Sequence, residues 1–412
     1  MASSLRSDGA FRRFFAAHAI SITGTAVTQV VLPILVFQRT GSPLLTSLLT
    51  TIEVAPYLLI GLFAGVLADR GNRRRLMVSC DLAQTLLLGS VPLAAAAGLL
   101  TTGQLFLVAV ASATVFVWFD AANFGALPAL VGRDRVVTAT SALATFDSLA
   151  LIAGPAIGAS IAAATDPAFA LALDSVSYLA SAFLLMRVRR PFEVARDTPR
   201  AHWRLELREG LRFLWRDKVL RALTLSGFGN SVSFGAVLGL TVVIAVQRLG
   251  VPDNSALIGL LFSANAAGGL VAALALPRLI GKRPAPRLSA VTLFLSFALT
   301  IVIAFVTSFG VALVVWTVWA VTVQLTILNG ITYRQQTTPD HLQSRVNVVA
   351  RMLAWGGQPV GAALGGAIAA VTDVQTAILV MSGAVGIAAF AARGPLWRGA
   401  RWVGPVGPAN GE

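Results

Sequence analysis

Charge is what this sequence has least of. Asp, Glu, Lys and Arg make up 12% of its 412 residues, about half the share of a soluble globular chain. So few charges cannot cover a chain that is 56% hydrophobic with a mean hydropathy of +0.77. A soluble fold is excluded, and an integral membrane protein is indicated. Cysteine is almost absent: the lone Cys80 excludes an intramolecular disulfide and a cysteine-based metal cluster. Three histidines (His18, His202 and His341) stand far apart, so no metal and no cofactor is expected. There is no Walker-type glycine loop, which excludes ATP as the direct energy source. No clustered His, Asp or nucleophile motif points to an enzyme. The absence of any N-x-Ser/Thr sequon fits a bacterial cytoplasmic (inner) membrane.

What is present is a series of long apolar runs. A spanning helix needs about 20 mostly apolar residues, and twelve segments qualify. They lie at about 14–37, 44–68, 76–98, 104–127, 139–163, 168–187, 220–246, 256–277, 288–307, 309–333, 348–371 and 374–392. The runs are continuous rather than alternating, which favours helices over a barrel. The first is too long for a signal-peptide core and no small-residue cleavage site follows it, so it reads as a retained span.

The basic residues orient these spans. Of 32 Lys and Arg, 30 fall at the N-terminus, in the even-to-odd loops or in the tail, and only Arg39 and Arg248 fall on the other side. By the positive-inside rule both termini and the central loop are cytoplasmic. The net charge of +14 is then a topogenic signal with some attraction to anionic lipid, and no nucleic-acid partner is expected. The segment from Arg204 to Arg216 interleaves Arg and Glu with Leu, Phe and Trp. It reads either as an amphipathic helix on the membrane surface or as a solvated linker. The tail after Trp402 lacks periodicity.

The halves repeat each other. Gly158-Ala-Ser-Ile-Ala-Ala-Ala-Thr-Asp166 returns 207 residues later as Gly365-Gly-Ala-Ile-Ala-Ala-Val-Thr-Asp373. Likewise Gln38-Arg39-Thr40-Gly41 returns 209 residues later as Gln247-Arg248-Leu249-Gly250. An even number of spans per repeat gives both halves the same orientation, an architecture that handles substrate at the midplane between them. The expected divisions are an N-terminal bundle (1–188), a cytoplasmic loop (189–219), a C-terminal bundle (220–393) and a cytoplasmic tail (394–412).

Two motifs make the reading specific. The loop after the second span, Gly65-Val-Leu-Ala-Asp69-Arg70-Gly71-Asn72-Arg73-Arg74-Arg75, resembles the loop motif of the major facilitator superfamily, G-x-x-x-D-[RK]-x-G-[RK]-[RK]. Asn72 replaces the second Gly and tolerates a left-handed backbone better than most residues. In the fifth span, Gly154-Pro155-Ala156-Ile157-Gly158 resembles the antiporter motif of exporters in that superfamily, with Ala159 in place of its last Gly. Thr40-Gly-Ser-Pro43, Asp174-Ser-Val-Ser-Tyr178, Glu209-Gly-Leu-Arg-Phe213 and Thr338-Pro-Asp-His-Leu-Gln-Ser-Arg-Val-Asn347 are similar to stretches of the third drug:proton antiporter family, the branch of macrolide-efflux and enterobactin-exporter-like proteins. The resemblance implies an all-α integral membrane protein with twelve transmembrane helices in two six-helix bundles related by a parallel repeat. It further implies a monomer that exports small amphiphilic molecules of drug, antibiotic or siderophore type by alternating access, with protons entering in exchange. It makes Gly65, Asp69, Arg70, Arg73, Arg74 and Asp120 a conformational switch and Gly154, Pro155 and Gly158 an antiporter-like bend.

An acid inside a span is a functional candidate by default. Here there are five, Glu53, Asp81, Asp120, Asp147 and Asp174, and all lie in the first half. At 1.5 Å per residue, Glu53 sits about 14 Å and Asp147 about 12 Å into the membrane. These two are candidates for proton coupling, with a buried hydrogen-bonded role as the alternative. Asp81 and Asp120 lie closer to the inner ends, within expected reach of Arg70, Arg73 or Arg74, and Asp174 suits capping or pairing. Arg351 is placed to snorkel to the interface. Gln29, Phe146, Asn230, Trp319 and Gln324 are candidate cavity residues. An uptake symporter for a small nutrient and a lipid flippase are the other readings; the acid-free second half and the fifth-span motif favour export.

Overall fold

The computed structural model describes residues 5–68, 71–190, 192, 203–280 and 285–398. Asp69, Arg70 and the tail after Arg398 lie outside the described residues. The expected spans are helices: α1 (Gly9–Thr40), α2 (Pro43–Ala68), α3 (Arg73–Ala96), α4 (Thr102–Val131), α5 (Val136–Ala164) and α6 (Pro167–Met186) form the N-half. After α7 (Trp203–Arg216), the C-half comprises α8 (Lys218–Gly239), α9 (Thr241–Gln247), α10 (Leu257–Ile280), α11 (Ala285–Phe305), α12 (Phe309–Thr337), α13 (Asp340–Trp355), α14 (Gly357–Val371) and α15 (Val374–Arg398). Among the described residues ten helices are long and apolar enough to cross a membrane, and α8 with α9, bent by 51°, makes an eleventh span when taken together. The twelfth, expected at 348–371, is divided at Gly356 into α13 and α14.

Helix starts are set by local chemistry. Asp8, Asn72, Thr101, Asp166 and Asp217 cap α1, α3, α4, α6 and α8, each accepting a hydrogen bond from a first-turn amide. Asp8 also fastens the N-terminus to its bundle. Its carboxylate lies 2.6 Å from the Arg190 guanidinium and 3.7 Å from that of Arg135. Burial pulls that carboxyl upward, but the hydrogen bond and charge of Arg190, with the amides of Phe11 and Ala10, hold it below the ordinary aspartate value.

The sequence repeat is also a repeat of contacts. Gly158 of α5 packs so closely on α1 that a Cβ would lie 2.9 Å from Val27 Cα, and its counterpart Gly365 of α14 meets Ala236 of α8 in the same way. Gly24 of α1 abuts Asp174 and Ser177 of α6, while at the corresponding place Ser233 of α8 donates to the Met381 carbonyl of α15, 2.5 Å away. Equivalent residues therefore make equivalent approaches in the two halves.

The halves meet through α2 on α14 and α5 on α10. The face bearing Asp8 and α7 is termed proximal, the opposite one distal. On the distal side a single apolar cluster joins both halves, running from Val27–Phe37 of α1 through Val237–Ala245 of α8 and α9 to Ile258 and Leu261 of α10. On the proximal side the clusters are separate: Phe14, Met77, Leu130 and Leu185 in the N-half, Leu220, Leu293, Val385 and Leu396 in the C-half. Apolar burial thus closes the distal end and leaves the proximal end to other forces.

The central amphipathic segment is a helix, and it is neither a plain linker nor a helix lying on a bilayer alone. Leu214 of α7 is fully buried against Val346, Val349 and Ala350 of α13. Its apolar side is satisfied by the C-half, while Leu211 and Trp215 stay exposed.

Because Gly158 meets main-chain atoms, its neighbour cannot simply swing aside. Gly158→Val should cost about 1–3 kcal/mol by overpacking, lowering the melting temperature of the detergent-solubilised protein by several degrees. Gly383→Ala, on the open side of α15 with nothing within 4 Å, should leave it unchanged or raise it. Equal effects would refute the close-packing role.

Candidate functional site

The helices leave a 460 Å³ cavity between the halves, within the size range of small-molecule sites. Gln29 and Pro33 of α1, Thr50 and Glu53 of α2, and Ser148 and Leu151 of α5 face it from the N-half. Phe262, Asn265 and Gly269 of α10, Gln324 and Leu328 of α12, and Gln358 of α14 face it from the C-half. The wall is mainly apolar with a few amides and hydroxyls. Among the described residues lining it, Glu53 is the one ionisable side chain. Midway along α2, Glu53 would be buried in a closed bundle; here it is exposed because it opens on the cavity.

Glu53 and Gln29 also line a second cavity of 180 Å³, which lies within the N-half among α1, α2, α3, α4 and α6. Asp174 is in its wall, fully buried, accepting from the Thr28 hydroxyl at 2.5 Å and from Ser177 at 3.0 Å. The pairing expected for Asp174 is therefore with hydroxyls of α1 and its own helix.

Asp147 lies one residue before the cavity residue Ser148. Its carboxylate is 2.5 Å from His18 Nε2, bridging α5 and α1. Sequence reasoning treated His18 only as an isolated histidine, because nothing near it in the chain marks the partner 129 residues away.

The arginine arrangement differs from the expected one. Arg73 donates to the carbonyls of Gly125 and Phe192, both at 3.1 Å, and Arg74 to that of Val188 at 2.6 Å. These switch residues tie α3 to the end of α4 and to the chain leaving α6, so the described contacts are within the N-half. Gly65 lies in α2, and Asp69 and Arg70 are outside the described residues. Asp120 turns instead to the half-interface, where the Tyr57 hydroxyl and the Arg351 guanidinium are close to its carboxylate. Arg351 donates to the same hydroxyl and lies 5.1 Å from the ring centroids of Tyr57 and Trp355. Snorkelling is thus overturned: Arg351 points inward and links the halves, because an acid and two aromatic rings await it there. Asp81 is completely buried in α3 beside Ser181 and Tyr178, with no arginine among its described neighbours.

Of the cavity candidates, Gln29 and Gln324 line the central cavity. Asn230 and Trp319 do not: both are buried in the C-half, where Ser296 donates to Asn230 at 3.3 Å and Trp319 to Thr300 at 3.0 Å. Phe146 packs edge-on against Phe15 inside the N-half. Thr50, Ser148 and Gln358 were missed; each is an uncharged polar residue in a mostly apolar span, a signal that needs the helix face to be usable. The antiporter-like segment is placed at an interface. Gly154 and Gly158 close on Ala26 and Val27 of α1, while the Pro155 carbonyl meets Gly259 of α10 across the halves.

If Tyr57, Asp120 and Arg351 form the proximal link, removing the cation should loosen that end. A charge-assisted hydrogen bond contributes about 1.5–3 kcal/mol. Arg351→Ala should therefore raise maleimide labelling of a cysteine at position 148 about 10- to 140-fold from the proximal side, in a Cys80→Ala background. Tyr57→Phe should fall between. An unchanged rate would show that the link does not guard the cavity.

Comparison with known proteins gives this architecture a family. The sequence is 29% identical over 372 residues to the multidrug efflux pump Tap of Mycolicibacterium fortuitum, covering 87% of this chain and 89% of that protein. It is 25% identical over 227 residues to macrolide efflux protein A of Streptococcus pyogenes, covering 53% and 54%. Among solved structures, the nucleoside transporter NupG superposes with a TM-score of 0.79 at 11% identity, covering 94% of this chain and 99% of that one. A bacterial homologue of the iron transporter ferroportin gives 0.74 at 16% identity, covering 96% and 99%. These distant structures share the twelve-helix fold. The Major Facilitator Superfamily model matches residues 14–357, so this chain, a transporter and not an enzyme, belongs to that superfamily.

Proposed function

We propose that this protein exports small amphiphilic molecules, of drug, antibiotic or siderophore type, from the cytoplasm in exchange for protons. The observation that carries the reading is the central cavity: a mostly apolar space of 460 Å³ with one carboxylate, Glu53, on its wall. An apolar wall with sparse polar groups favours amphiphiles over polar nutrients. The names of the relatives, a multidrug efflux pump and a macrolide efflux protein, support the direction of transport. The protein works as a monomer in a bacterial cytoplasmic membrane, with both termini and α7 in the cytoplasm and the distal face outward.

In this reading the N-half, residues 1–188, rocks against the C-half, residues 220–393. The distal apolar cluster and the proximal link of Arg351 to Tyr57, both formed in this structure, part in turn as the halves rock. Substrate enters the cavity from the proximal side while Glu53 is ionised. After the halves rock, a proton from the outer side neutralises Glu53 as substrate leaves. Asp147, paired with His18 beside the cavity, offers a second proton-exchanging group on the same half. The loop motif at Gly65, Asp69 and Arg70, with Arg73, Arg74 and Asp120, controls the rocking, and Gly154, Pro155 and Gly158 allow α5 to bend at its contact with α10.

Glu53→Gln and Asp147→Asn should lose uphill, proton-driven export while retaining substrate binding or downhill exchange, measured in proteoliposomes with an imposed pH gradient. If both variants still concentrate substrate, the coupling group lies elsewhere. Asp69→Asn should leave membrane expression near normal while strongly lowering transport; loss of the protein from the membrane would make Asp69 a folding residue. For topology, a cysteine at position 102 should react with an impermeant reagent outside intact cells and one at position 4 should not. The reverse pattern would invert the orientation.

A further inference from the structure

The wall of the 180 Å³ cavity inside the N-half holds carboxylates together with buried polar atoms that have no partner among the described residues. Thr28 and Ser177 already donate to Asp174. Thr25 donates to the Ser21 carbonyl at 2.9 Å, so the Tyr178 hydroxyl, 2.9 Å from Thr25 Oγ1, donates to Thr25. Gln84 is 5% exposed and gives its amide N–H to the Ser112 carbonyl at 3.0 Å. That leaves Gln84 Oε1 buried in the cavity wall without a donor, and Ser112 Oγ is unpartnered as well. The Glu53 carboxylate completes the set on the side that opens to the central cavity.

The rest of the lining is largely apolar, with Leu88 one turn from Gln84 on α3 and Phe116 one turn from Ser112 on α4, beside Leu32, Val108 and Ala109. A buried acceptor without a donor costs about 1–3 kcal/mol, and a carboxylate that is ionised in such surroundings is stabilised by a paired cation. A ligand that answers both sets of groups carries N–H donors and a positive charge at one end and an apolar body at the other.

The C-half shows what the same place looks like when it is not a site. At the 209-residue offset of α1 and α8, Thr25 corresponds to Phe234; at the 207-residue offset of α4 and α12, Ala109 and Ser112 correspond to Trp316 and Trp319. Those three rings fill the space, Phe234 stacked on Trp319 at 5.6 Å and Trp316 edge-on to it at 6.1 Å. Asp174 corresponds to Met381 at the 207-residue offset of α6 and α15. The N-half keeps open, and lines with oxygen, the volume that its repeat packs with tryptophan.

We propose that this N-half cavity is a subsite for a protonated organic amine, whose ammonium sits among Glu53, Asp174, Gln84 Oε1 and Ser112 Oγ and whose apolar part lies against Leu88 and Phe116. Resting on the export reading, the inference narrows the substrate class to amphiphilic cations. Their larger portion extends past Gln29 and Glu53 into the central cavity.

The test is binding to the purified full chain in lipid nanodiscs, followed by saturation-transfer NMR with phenethylamine, phenethyl alcohol and phenylacetate. Phenethylamine should bind at least tenfold more tightly than the alcohol, and phenylacetate more weakly than both. Ser112→Trp, which installs the ring its repeat carries, should abolish that preference. Gln84→Leu should weaken the amine at least fivefold while leaving the alcohol unchanged, and it decides the matter if Ser112→Trp does not reach the membrane. Equal binding of amine and alcohol, an amine preference surviving in Gln84→Leu, or displacement of the amine by sodium but not potassium would each overturn the proposal. Everted vesicles separate it from the export reading. Amine-selective binding without vesicle uptake would leave the subsite standing and remove export, whereas uptake without amine selectivity would do the opposite.

Discussion

A carboxylate placed inside a membrane-spanning bundle must find donors, a cation or a wet cavity within the protein, because hydrocarbon offers none. Most of the organisation of this transporter follows from five such acids being confined to one half. Each meets the constraint differently. Asp174 draws on hydroxyls from α1 and its own helix. Asp147 reaches across to His18, and Asp120 lies close to Tyr57 and to Arg351 of the other half, which donates to the Tyr57 hydroxyl. Asp81 is enclosed beside Ser181 and Tyr178. Glu53 opens on both cavities. The N-half is consequently built around polar contacts that depend on protonation and on neighbouring helices. The C-half, without a membrane acid, fills its interior with Trp316, Trp319 and Phe234 and satisfies Asn230 and Thr300 internally. One half is a packed body and the other carries the responsive groups.

The two ends of the half-interface use different physics. The distal end is apolar and broad, with small residues letting α2 and α14 come together at Ser47 and Gly366, and α5 and α10 at Pro155 and Gly259. Such contacts gain dispersion energy through many atoms and lose it gradually as helices part. The proximal end has separate apolar clusters in each half, bridged by the polar link at Arg351. A polar link breaks over a short distance and depends on the charge of its acid.

Hydropathy made the spans legible, since a continuous apolar run of the right length leaves few alternatives and the helices end within a few residues of the expected places. The repeat was legible too, because Gly158 and Gly365 are held by the same contact with the first helix of each half. What the sequence could not supply was direction around each helix axis. Trp319 and Gln324 lie five residues apart on α12, yet one is buried in the core and the other faces the cavity. Depth reasoning placed Arg351 near a helix end, where an arginine ordinarily snorkels; the tertiary partners Tyr57 and Asp120 reversed that. His18 and Gln84 were passed over for the same reason, since their significance lies in residues that only folding brings near.

The discontinuities in the C-half gain meaning from where they fall. The bend between α8 and α9 lies next to Gly239, which packs against Ser47 near the distal start of α2. The break between α13 and α14 is at Gly356, whose nearest neighbour on the other half is Leu58, further along the same helix. A straight helix transmits displacement along its whole length, whereas a bend or break lets one segment follow a moving neighbour while the other stays packed. Both broken spans pack on α2, which carries Glu53 midway between these two contacts. The ionisable residue of the cavity wall is thus on the N-half helix against which the C-half has its two points of give. Ser47 and Leu58, the α2 residues at those two contacts, stand six and five residues from Glu53, so the cavity acid and both points of give share one helix.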